Sequence, residues 1–389
     1  MALTRLARGR VRRPPLRADG VRPPEGGVSV VIPARDEAAR LGPCLEGVRS
    51  DPDLGELIVV VDDDADPGTV RVAEEGGARV VVAPPLPHGW IGKTWALEHG
   101  LRAASRRWLV TLDADTRPRP GLLRALVAEL GAECDLVSAG TRFQCDTVGE
   151  RLFHPAMLAT VVYRFGPIGA AGAGPPPHRV VANGQCLAVE RERLAAAGGF
   201  TRTPGHMTDD IALARSLAAD GWRLRFLDGC DLVSVRMYTS AREVWREWGR
   251  SLSLGDVTAW PWLALDLAVV WLCMAAPLPR LLARRGTRLD AVLLAVRLAL
   301  LAPLARAFER RGAAYWLSPL CDAGAAARLT LAVARPARTW RGRAYPYAAR
   351  TGSGVRRSTS APRSRSPGRR GRRAAGRPGS RTPRRGLPI

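Results

Sequence analysis

Two carboxylates, Asp113 and Asp115, follow an apolar run at residues 109–112. In an extended backbone, residues two apart point to the same face, and hard divalent cations prefer oxygen ligands of this kind. Acidic residues at this spacing are also common in solvated turns, so the pair alone is a weak sign of metal-assisted chemistry. A second apolar run, residues 57–61, also ends in acids, Asp62-Asp63-Asp64, and this repetition strengthens the interpretation.

Short runs rich in β-branched residues alternate with helical spacing in the first part of the chain. Predicted strands cover residues 28–33, 57–61, 79–82 and 109–112, and predicted helices cover residues 34–49, 69–75 and 93–105. This alternation predicts an α/β fold with a mainly parallel sheet that is covered on both faces. Ligands of such sheets bind beyond the carboxyl ends of the strands, where both acidic clusters lie.

Positive charge is concentrated at the two ends of the chain. The formal net charge is +23; residues 351–389 contain 12 arginines and no acid, and residues 1–24 contain seven arginines and one acid. The ends therefore carry 18 of the 23 charges, and their composition predicts disorder in residues 1–27 and 346–389. No aromatic residue accompanies the arginines of the C-terminal tail, so we expect no specific nucleic-acid partner.

Several familiar sites are not predicted. Seven cysteines are scattered without CxxC spacing, which favours reduced, buried thiols over a zinc site or a disulfide framework. No GxGxxG follows the first strand, and Gly92-Lys93-Thr94 lacks the glycine spacing of a P-loop. Lys93 is nevertheless notable, because it is the sole lysine among 59 basic residues and a compact ammonium suits a phosphate oxygen.

The composition changes in the C-terminal part of the chain. Residues 257–279 are apolar apart from Asp266 and are long enough to span a bilayer, and residues 289–305 and 313–334 are weaker candidates. After a catalytic domain at residues 28–250, we expect a membrane-associated region of hydrophobic or transmembrane helices at residues 251–345. Each segment also fits an amphipathic core helix. The expected location is the cell membrane, with the catalytic domain on the cytoplasmic side.

Several short motifs follow one another between residues 28 and 345. They are Pro33-Ala34-Arg35-Asp36-Glu37, Asp62-Asp63-Asp64, Gly89-Trp90-Ile91-Gly92-Lys93-Thr94-Trp95-Ala96, Asp113-Ala114-Asp115, Asn183-Gly184-Gln185, Gly198-Gly199-Phe200, Thr208-Asp209-Asp210, Arg236-Met237-Tyr238 and Trp340-Arg341-Gly342-Arg343-Ala344-Tyr345. In this order they resemble family 2 glycosyltransferases of the GT-A fold. Within that family, the chain looks most like the membrane-associated subgroup of hopene-associated and carotenoid (diaponeurosporenoate-type) glycosyltransferases.

The resemblance implies a sugar donor linked to a nucleoside diphosphate, expected to be UDP, and a divalent metal, Mn²⁺ or Mg²⁺. Asp115 would hold the metal against the diphosphate with help from Asp113, which would also touch the donor ribose or sugar. Asp62 and Asp63 would contact the base and the ribose, because carboxylates accept hydrogen bonds from an imide N–H and from hydroxyls. The donor-binding residues expected in all are Pro33, Arg35, Glu37, Asp62, Asp63, Lys93 and Asp113.

The acidic pair Asp209-Asp210 matches the position of the catalytic acids in the family. By this resemblance Asp210 would take a proton from the acceptor hydroxyl in an inverting transfer, and Asp209 would orient the site. The Gln-x-x-Arg-Trp motif of processive relatives is missing from the sequence, which favours a single transfer to a lipid acceptor. Two alternatives remain open from the residues: a nucleotidyltransferase, and a non-enzymatic basic tether for membranes or nucleic acid.

Overall fold

The computed structural model describes residues 2–131, 133–172, 174–248, 252–336, 339–340 and 343–345. Its strands are β1 Val28–Ala34, β2 Leu54–Val61, β3 Arg79–Val82, β4 Trp108–Leu112, β5 Thr116–Pro118, β6 Leu136–Gly140, β7 Arg142–Phe143, β8 Cys186–Glu190, β9 Leu224–Asp228, β10 Val233–Val235, β11 Thr339–Trp340 and β12 Arg343–Ala344. A seven-stranded sheet forms the centre, with the strand order β3-β2-β1-β4-β8-β6-β9. A three-stranded sheet contains β5, β10 and β7, and a two-stranded sheet contains β11 and β12.

The pairing of the central sheet confirms the predicted α/β fold with a mainly parallel, mixed sheet. β3, β2, β1 and β4 run parallel to one another, and β6 runs parallel to β9. β8 is antiparallel to both of its neighbours, β4 and β6. The carboxyl ends of β1, β2 and β4 therefore lie at one edge of the sheet, where parallel-sheet enzymes place their ligands.

Helices cover both faces of the sheet. The helices of the described residues are α1 Ala2–Ala7, α2 Ala38–Arg49, α3 Pro67–Glu75, α4 Gly92–Ala103, α5 Leu122–Ala128, α6 Val148–Phe165, α7 Arg191–Ala196, α8 Asp209–Ala219, α9 Ala241–Glu243, α10 Trp260–Val270, α11 Pro277–Leu282, α12 Arg288–Leu304, α13 Gly312–Trp316 and α14 Asp322–Ala334. Short 3₁₀ or π-helical turns connect several of them. They are Arg8–Arg10, Pro177–Arg179, Gly199–Arg202, Val244–Trp248, Trp271–Ala275, Ala305–Ala307 and Ser318–Cys321.

The alternation of side chains along β1 divides the core between the two faces. Val30 belongs to the core under α2, whereas Val31 belongs to the core under α4. α4 comes close to the sheet because Gly100 has no side chain: a Cβ there would lie 2.2 Å from Cγ1 of Val31. This close approach places the first turn of α4 beside the ends of β1 and β2.

The predicted transmembrane helices are not supported. Within the described residues, no helix combines the length and the apolarity needed to cross a membrane. The expected span at residues 257–279 is instead divided into α10, a π-helical turn and the start of α11.

Three charged residues of these apolar segments, Asp266, Arg297 and Asp322, are buried and paired inside the helical region. Asp266 is 1% exposed and receives Arg5 at 2.9 Å, Arg164 at 3.4 Å and Arg179 at 3.0 Å. Arg297 of α12 bonds both oxygens of Asp322 in α14, at 2.8 and 2.9 Å. A buried charge is tolerated when it is paired in this way, so these residues join helices to one another.

The N-terminal segment, predicted to be disordered, is placed against the folded part. Leu16 is buried and its backbone N–H donates to the carbonyl of Asp228 at 2.9 Å. Arg5 of α1 reaches Asp266, as described above. The composition of the N-terminal segment did not predict its ordered placement, because the segment is held by backbone hydrogen bonds and by the ion pair of Arg5 with Asp266. The predicted disordered tail at residues 346–389 lies outside the described residues.

Candidate active site

Acidic and basic side chains meet at the edge formed by the carboxyl ends of β1, β2 and β4. Pro33 lies near the end of β1, Asp62 follows β2 directly, and Asp113 follows β4 directly. Register pairs Ala34 with Val61, so the loops after β1 and β2 begin at the same height. The sequence predicted this convergence, because parallel neighbouring strands end at a common edge.

A cleft opens at this edge. It contains six of the seven predicted donor-binding residues together with both predicted metal ligands. Its lining is formed by Pro33, Ala34, Arg35, Glu37, Asp62, Gly92, Lys93, Ala96, Asp113, Ala114 and Asp115.

Asp63 is the predicted donor-binding residue that the structure does not bring to the cleft. It is exposed in the turn after β2, whereas its neighbour Asp62 is buried. Consecutive residues leaving a strand point in different directions, so only one of the two acids can face the cleft. Asp64 faces Arg35, which bonds it at 2.8 Å and bonds Asp62 at 2.6 Å.

Lys93 is the centre of the charged groups in the cleft. Its Nζ lies 2.7 Å from Oδ1 of Asp113 and 3.9 Å from Oδ2 of Asp209. Burial opposes the charged form of the lysine, but attraction from Asp113, Asp209 and Asp210 outweighs it and raises the pKa of Lys93. The ammonium therefore stays charged and joins the acids after β4 to those at the start of α8.

Asp210 is held by backbone N–H groups. Its Oδ2 accepts a hydrogen bond from Gly184 at 2.7 Å, and its Oδ1 accepts one from Ile211 at 2.8 Å. A Cβ at position 184 would lie 2.9 Å from Cβ of Asp210 and 3.2 Å from Nζ of Lys93. Gly184 thus lets the lysine and the acid approach each other.

The pKa values of both acids in the pair Asp209-Asp210 are raised. Removal from water raises the pKa of Asp209 to about 7, against the opposing attraction of Lys93 and with repulsion from Asp210 adding to the rise. The same loss of hydration raises the pKa of Asp210, although Lys93 and its two backbone N–H donors favour its charged form. A carboxylate with a raised pKa near neutrality is a stronger base than an ordinary aspartate.

Sequence reasoning missed two groups that support the site. Asp256 accepts hydrogen bonds from the backbone N–H and the hydroxyl of Thr208, at 3.0 and 2.8 Å, and so fixes the start of α8. Arg343 and Tyr345, from the last described segment, reach Asp62 and Gly92. The motif that contains them was visible in the sequence, but its place in the site was not.

The donor set for a divalent cation consists of carboxylates from one short loop. Asp113 and Asp115 both line the cleft. In the part of the chain that the structure describes, no group of three or more His, Cys, Asp or Glu is arranged to hold a metal. Two carboxylates fit Mn²⁺ or Mg²⁺ when a phosphate substrate and water supply the remaining ligands, which is the usual arrangement for Mg²⁺. Asp113 and Asp115 therefore fit the expected divalent metal, with the substrate supplying further ligands.

The family is established by comparison with known proteins. The family model described as "Glycosyltransferase like family 2" matches residues 23–252, more than half of the chain. The chain belongs to the family 2 glycosyltransferases, as its motifs predicted. It is therefore an enzyme of the transferase class, and neither the nucleotidyltransferase nor the non-enzymatic tether is retained.

Curated relatives carry the name of the predicted subgroup. The 4,4′-diaponeurosporenoate glycosyltransferases of Staphylococcus haemolyticus and Staphylococcus aureus are 24% identical over 251 residues and 26% identical over 250 residues. These matches cover 63% of this chain and 66% and 65% of those proteins, so the chain spans about two thirds of their length. Among solved structures, a mannosyltransferase from Pyrobaculum calidifontis in complex with GDP-Man and Mn²⁺ matches 85% of this chain and 93% of that chain, with a TM-score of 0.47 and 20% identity.

Proposed function

We propose that this enzyme transfers the sugar of a nucleoside-diphosphate sugar, a UDP-sugar, to a lipid-type acceptor. The proposed reaction inverts the anomeric configuration and depends on a divalent metal. The observation that carries the proposal is the cleft itself. It collects Asp62, Lys93, Asp113 and Asp115, and Lys93 connects them to the acidic pair at the start of α8. The cleft and the acidic pair thus offer neighbouring side chains for the nucleoside, for the diphosphate and for the acceptor.

The nucleoside end of the donor is assigned to the side of the cleft at Asp62. Its carboxylate accepts hydrogen bonds from an imide N–H or from ribose hydroxyls. Arg35 donates to this buried carboxylate at 2.6 Å. Glu37 and Pro33 complete this side of the cleft.

The diphosphate is assigned to the region between Lys93 and Asp115. A cation held by Asp115 and Asp113 would supply positive charge where the leaving diphosphate becomes more negative. Lys93 lies at the N-terminus of α4, where its ammonium and the backbone N–H groups of the first turn attract phosphate oxygens. These groups of the chain bind and orient the leaving group.

Asp210 is assigned the role of base. The acceptor hydroxyl oxygen attacks the anomeric carbon, the bond from that carbon to the diphosphate oxygen breaks, and the hydroxyl proton passes to a carboxylate oxygen of Asp210. The hydrogen bonds from Gly184 and Ile211 fix this carboxylate in position. Attack from the side opposite to the leaving group inverts the anomeric configuration. Asp209, which lies beside Lys93, is assigned the role of orienting the site.

A lipid acceptor and a membrane location are proposed from the surface of the helical region and from the names of the relatives. Of the 17 exposed large apolar side chains in the described residues, 13 lie between residues 245 and 331. A concentration of exposed Trp and Leu is typical of surfaces that contact membranes or apolar ligands. The acceptor classes in this proposal are terpenoids, carotenoids, hopanoids and glycerolipids, and the proposed location is the cytoplasmic side of the cell membrane.

A panel of sugar nucleotides, with and without Mn²⁺, tests the donor and the metal by calorimetric binding and by transfer to lipid extracts. We expect Asp115→Ala to weaken metal-dependent UDP binding about tenfold or more. Asp62→Ala should weaken UDP binding, whereas Asp63→Ala, its exposed neighbour, is the matched control and should not. Unchanged UDP binding by Asp115→Ala would contradict the metal assignment.

The base is tested separately. Asp210→Asn keeps the size of the side chain but removes its basicity, so we expect transfer to fall about 100-fold or more. The affinity for UDP should stay within about twofold of the parent, since the leaving group is bound elsewhere in the cleft. Transfer at the parental rate would show that Asp210 is not the base.

A further inference from the structure

The last described segment of the chain returns to the donor cleft after the helical region. Tyr345 is 1% exposed, and its Oη accepts a hydrogen bond from the backbone N–H of Gly92 at 3.3 Å. Gly92 is the first residue of α4, immediately before Lys93. We call residues 343–345 the C-terminal strap. It lies outside residues 23–252, which match the family model.

Arg343 of the strap bonds the acids that follow β2. Its Nη1 lies 3.2 Å from Oδ2 of Asp62, and its Nη2 lies 3.5 Å from Oδ2 of Asp64. Arg35 bonds the same two carboxylates from the loop after β1. Two guanidinium groups therefore balance two carboxylates, and the network joins three distant parts of the chain at the nucleoside side of the cleft.

The strap, Asp62 and the start of α4 are in direct contact around Gly92. A Cβ at position 92 would lie 3.2 Å from Oη of Tyr345 and 3.6 Å from Oδ2 of Asp62. Neither Arg343 nor Tyr345 lines the cleft, so their effect on a ligand passes through Asp62 and through the first turn of α4. Arg35 and Arg343 both donate to Oδ2 of Asp62, so Arg343 adds a second restraint on this carboxylate.

We propose that the C-terminal strap is a positioning part of the donor site. Arg343 holds Asp62 in the orientation that accepts hydrogen bonds from the nucleoside, and Tyr345 holds the N-terminus of α4 that carries Lys93. This inference rests on the proposed function of the cleft as a site for a nucleoside diphosphate. It makes nucleotide affinity depend on a segment some 250 residues beyond α4 in sequence, since Tyr345 and Gly92 are 253 residues apart.

The test measures binding of UDP and of inorganic pyrophosphate, each with Mn²⁺, to full-length variants. Arg343→Gln should weaken UDP binding about tenfold, as expected for losing one charge-assisted contact, and should leave pyrophosphate binding within about twofold. Arg343→Lys should recover part of the UDP affinity. Tyr345→Phe keeps the ring and loses the hydroxyl, and should weaken UDP binding about threefold.

Arg124→Gln is the matched control. Arg124 bonds Asp53, just before the other end of β2, at 2.6 and 3.2 Å, and its side chain is 24% exposed, as is that of Arg343. It should leave UDP binding unchanged. The inference is overturned if Arg343→Gln binds UDP as tightly as the parent, binds it more tightly, or loses UDP and pyrophosphate equally. A parent that binds no nucleoside diphosphate would refute the proposed function as well.

Discussion

Replacing Lys93 by methionine removes the positive charge that lies between Asp113 and the acidic pair Asp209-Asp210 while keeping a side chain of similar length. In the parent, Nζ of Lys93 lies 2.7 Å from Asp113 and 3.9 Å from Asp209. The lysine opposes the rise in the pKa of both Asp209 and Asp210. Without it, the ionised form of the pair is less favourable, and the pair should take up a proton at higher pH.

The size of this effect follows from the distance. Two unit charges 3.9 Å apart interact by about 1 kcal/mol in water and about 4 kcal/mol near a protein surface, which corresponds to about one to three pKa units. Asp209 has a pKa of about 7 in the parent. At pH 7 the ionised fraction of Asp209 should therefore fall from about one half to between about a tenth and a thousandth. The ionised fraction of Asp210, the proposed base, should fall in the same direction, because Lys93 also favours its charged form. The rate should recover as the pH rises.

The assay is the single-turnover transfer rate between pH 5.5 and pH 10 at saturating donor and metal. For Lys93→Met we expect the acidic limb of the profile to move upward by about one to three units. Lys93→Arg retains the charge and should keep the limb near its parental position. If Lys93→Met lowers the rate by the same factor at every pH, Lys93 acts on the donor alone and the coupling to the acidic pair is refuted.

Further predictions concern stability and location. Asp266→Ala leaves three arginines, of which Arg164 and Arg179 are buried, without their shared carboxylate. It should cost about 3–5 kcal/mol in urea unfolding, and a loss below about 1 kcal/mol would contradict the role given to Asp266. Gly100→Ala should cost about 1–3 kcal/mol in the same assay, because its Cβ would meet Val31. Asp135 is buried, but its arginine partners lower its pKa to about 2. Its stabilising effect is therefore complete above its ordinary pKa of 3.8 and is lost as the pH falls through about 2. Asp135→Asn should flatten this acid transition in the free energy of unfolding. The chain should cosediment with phospholipid vesicles, and Trp260→Ser, at a 64% exposed position, should weaken this binding severalfold without changing UDP affinity.

Local sequence patterns determined most of the sheet and the helices next to the cleft. The predicted strand at residues 79–82 coincides with β3, and the other three predicted strands differ from β1, β2 and β4 by at most three residues at an end. β1 and β4 are largely buried, as is the second half of β2, so these runs are almost continuously apolar and easy to find. β3 lies at the edge of the sheet and is partly exposed, and its β-branched residues identified it. The meeting of Asp62 with Asp113 and Asp115 was also predictable, because parallel strands that neighbour one another end at one edge.

The structure of residues 251–345 could not be predicted from local sequence patterns. An apolar run with one charge fits both a membrane helix and a helix packed in a protein core. In α12 the charge has a partner that the sequence did not reveal: Arg297 is 0% exposed and bonds Asp322 of another helix. Such pairing depends on two positions far apart in sequence, and neither position alone reveals its partner.

The amino-acid sequence by itself determined the family, the α/β class and the residue types of the cleft, because these depend on local periodicity and on the order of motifs. Only the tertiary structure decided which acid of the Asp62-Asp63 pair faces the cleft, that Gly184 brings Asp210 to Lys93, and that Arg343 reaches Asp62 across 281 residues. The reason is physical. Side-chain direction at a strand end and contacts between distant segments are set by how the whole chain packs, and no local pattern specifies them.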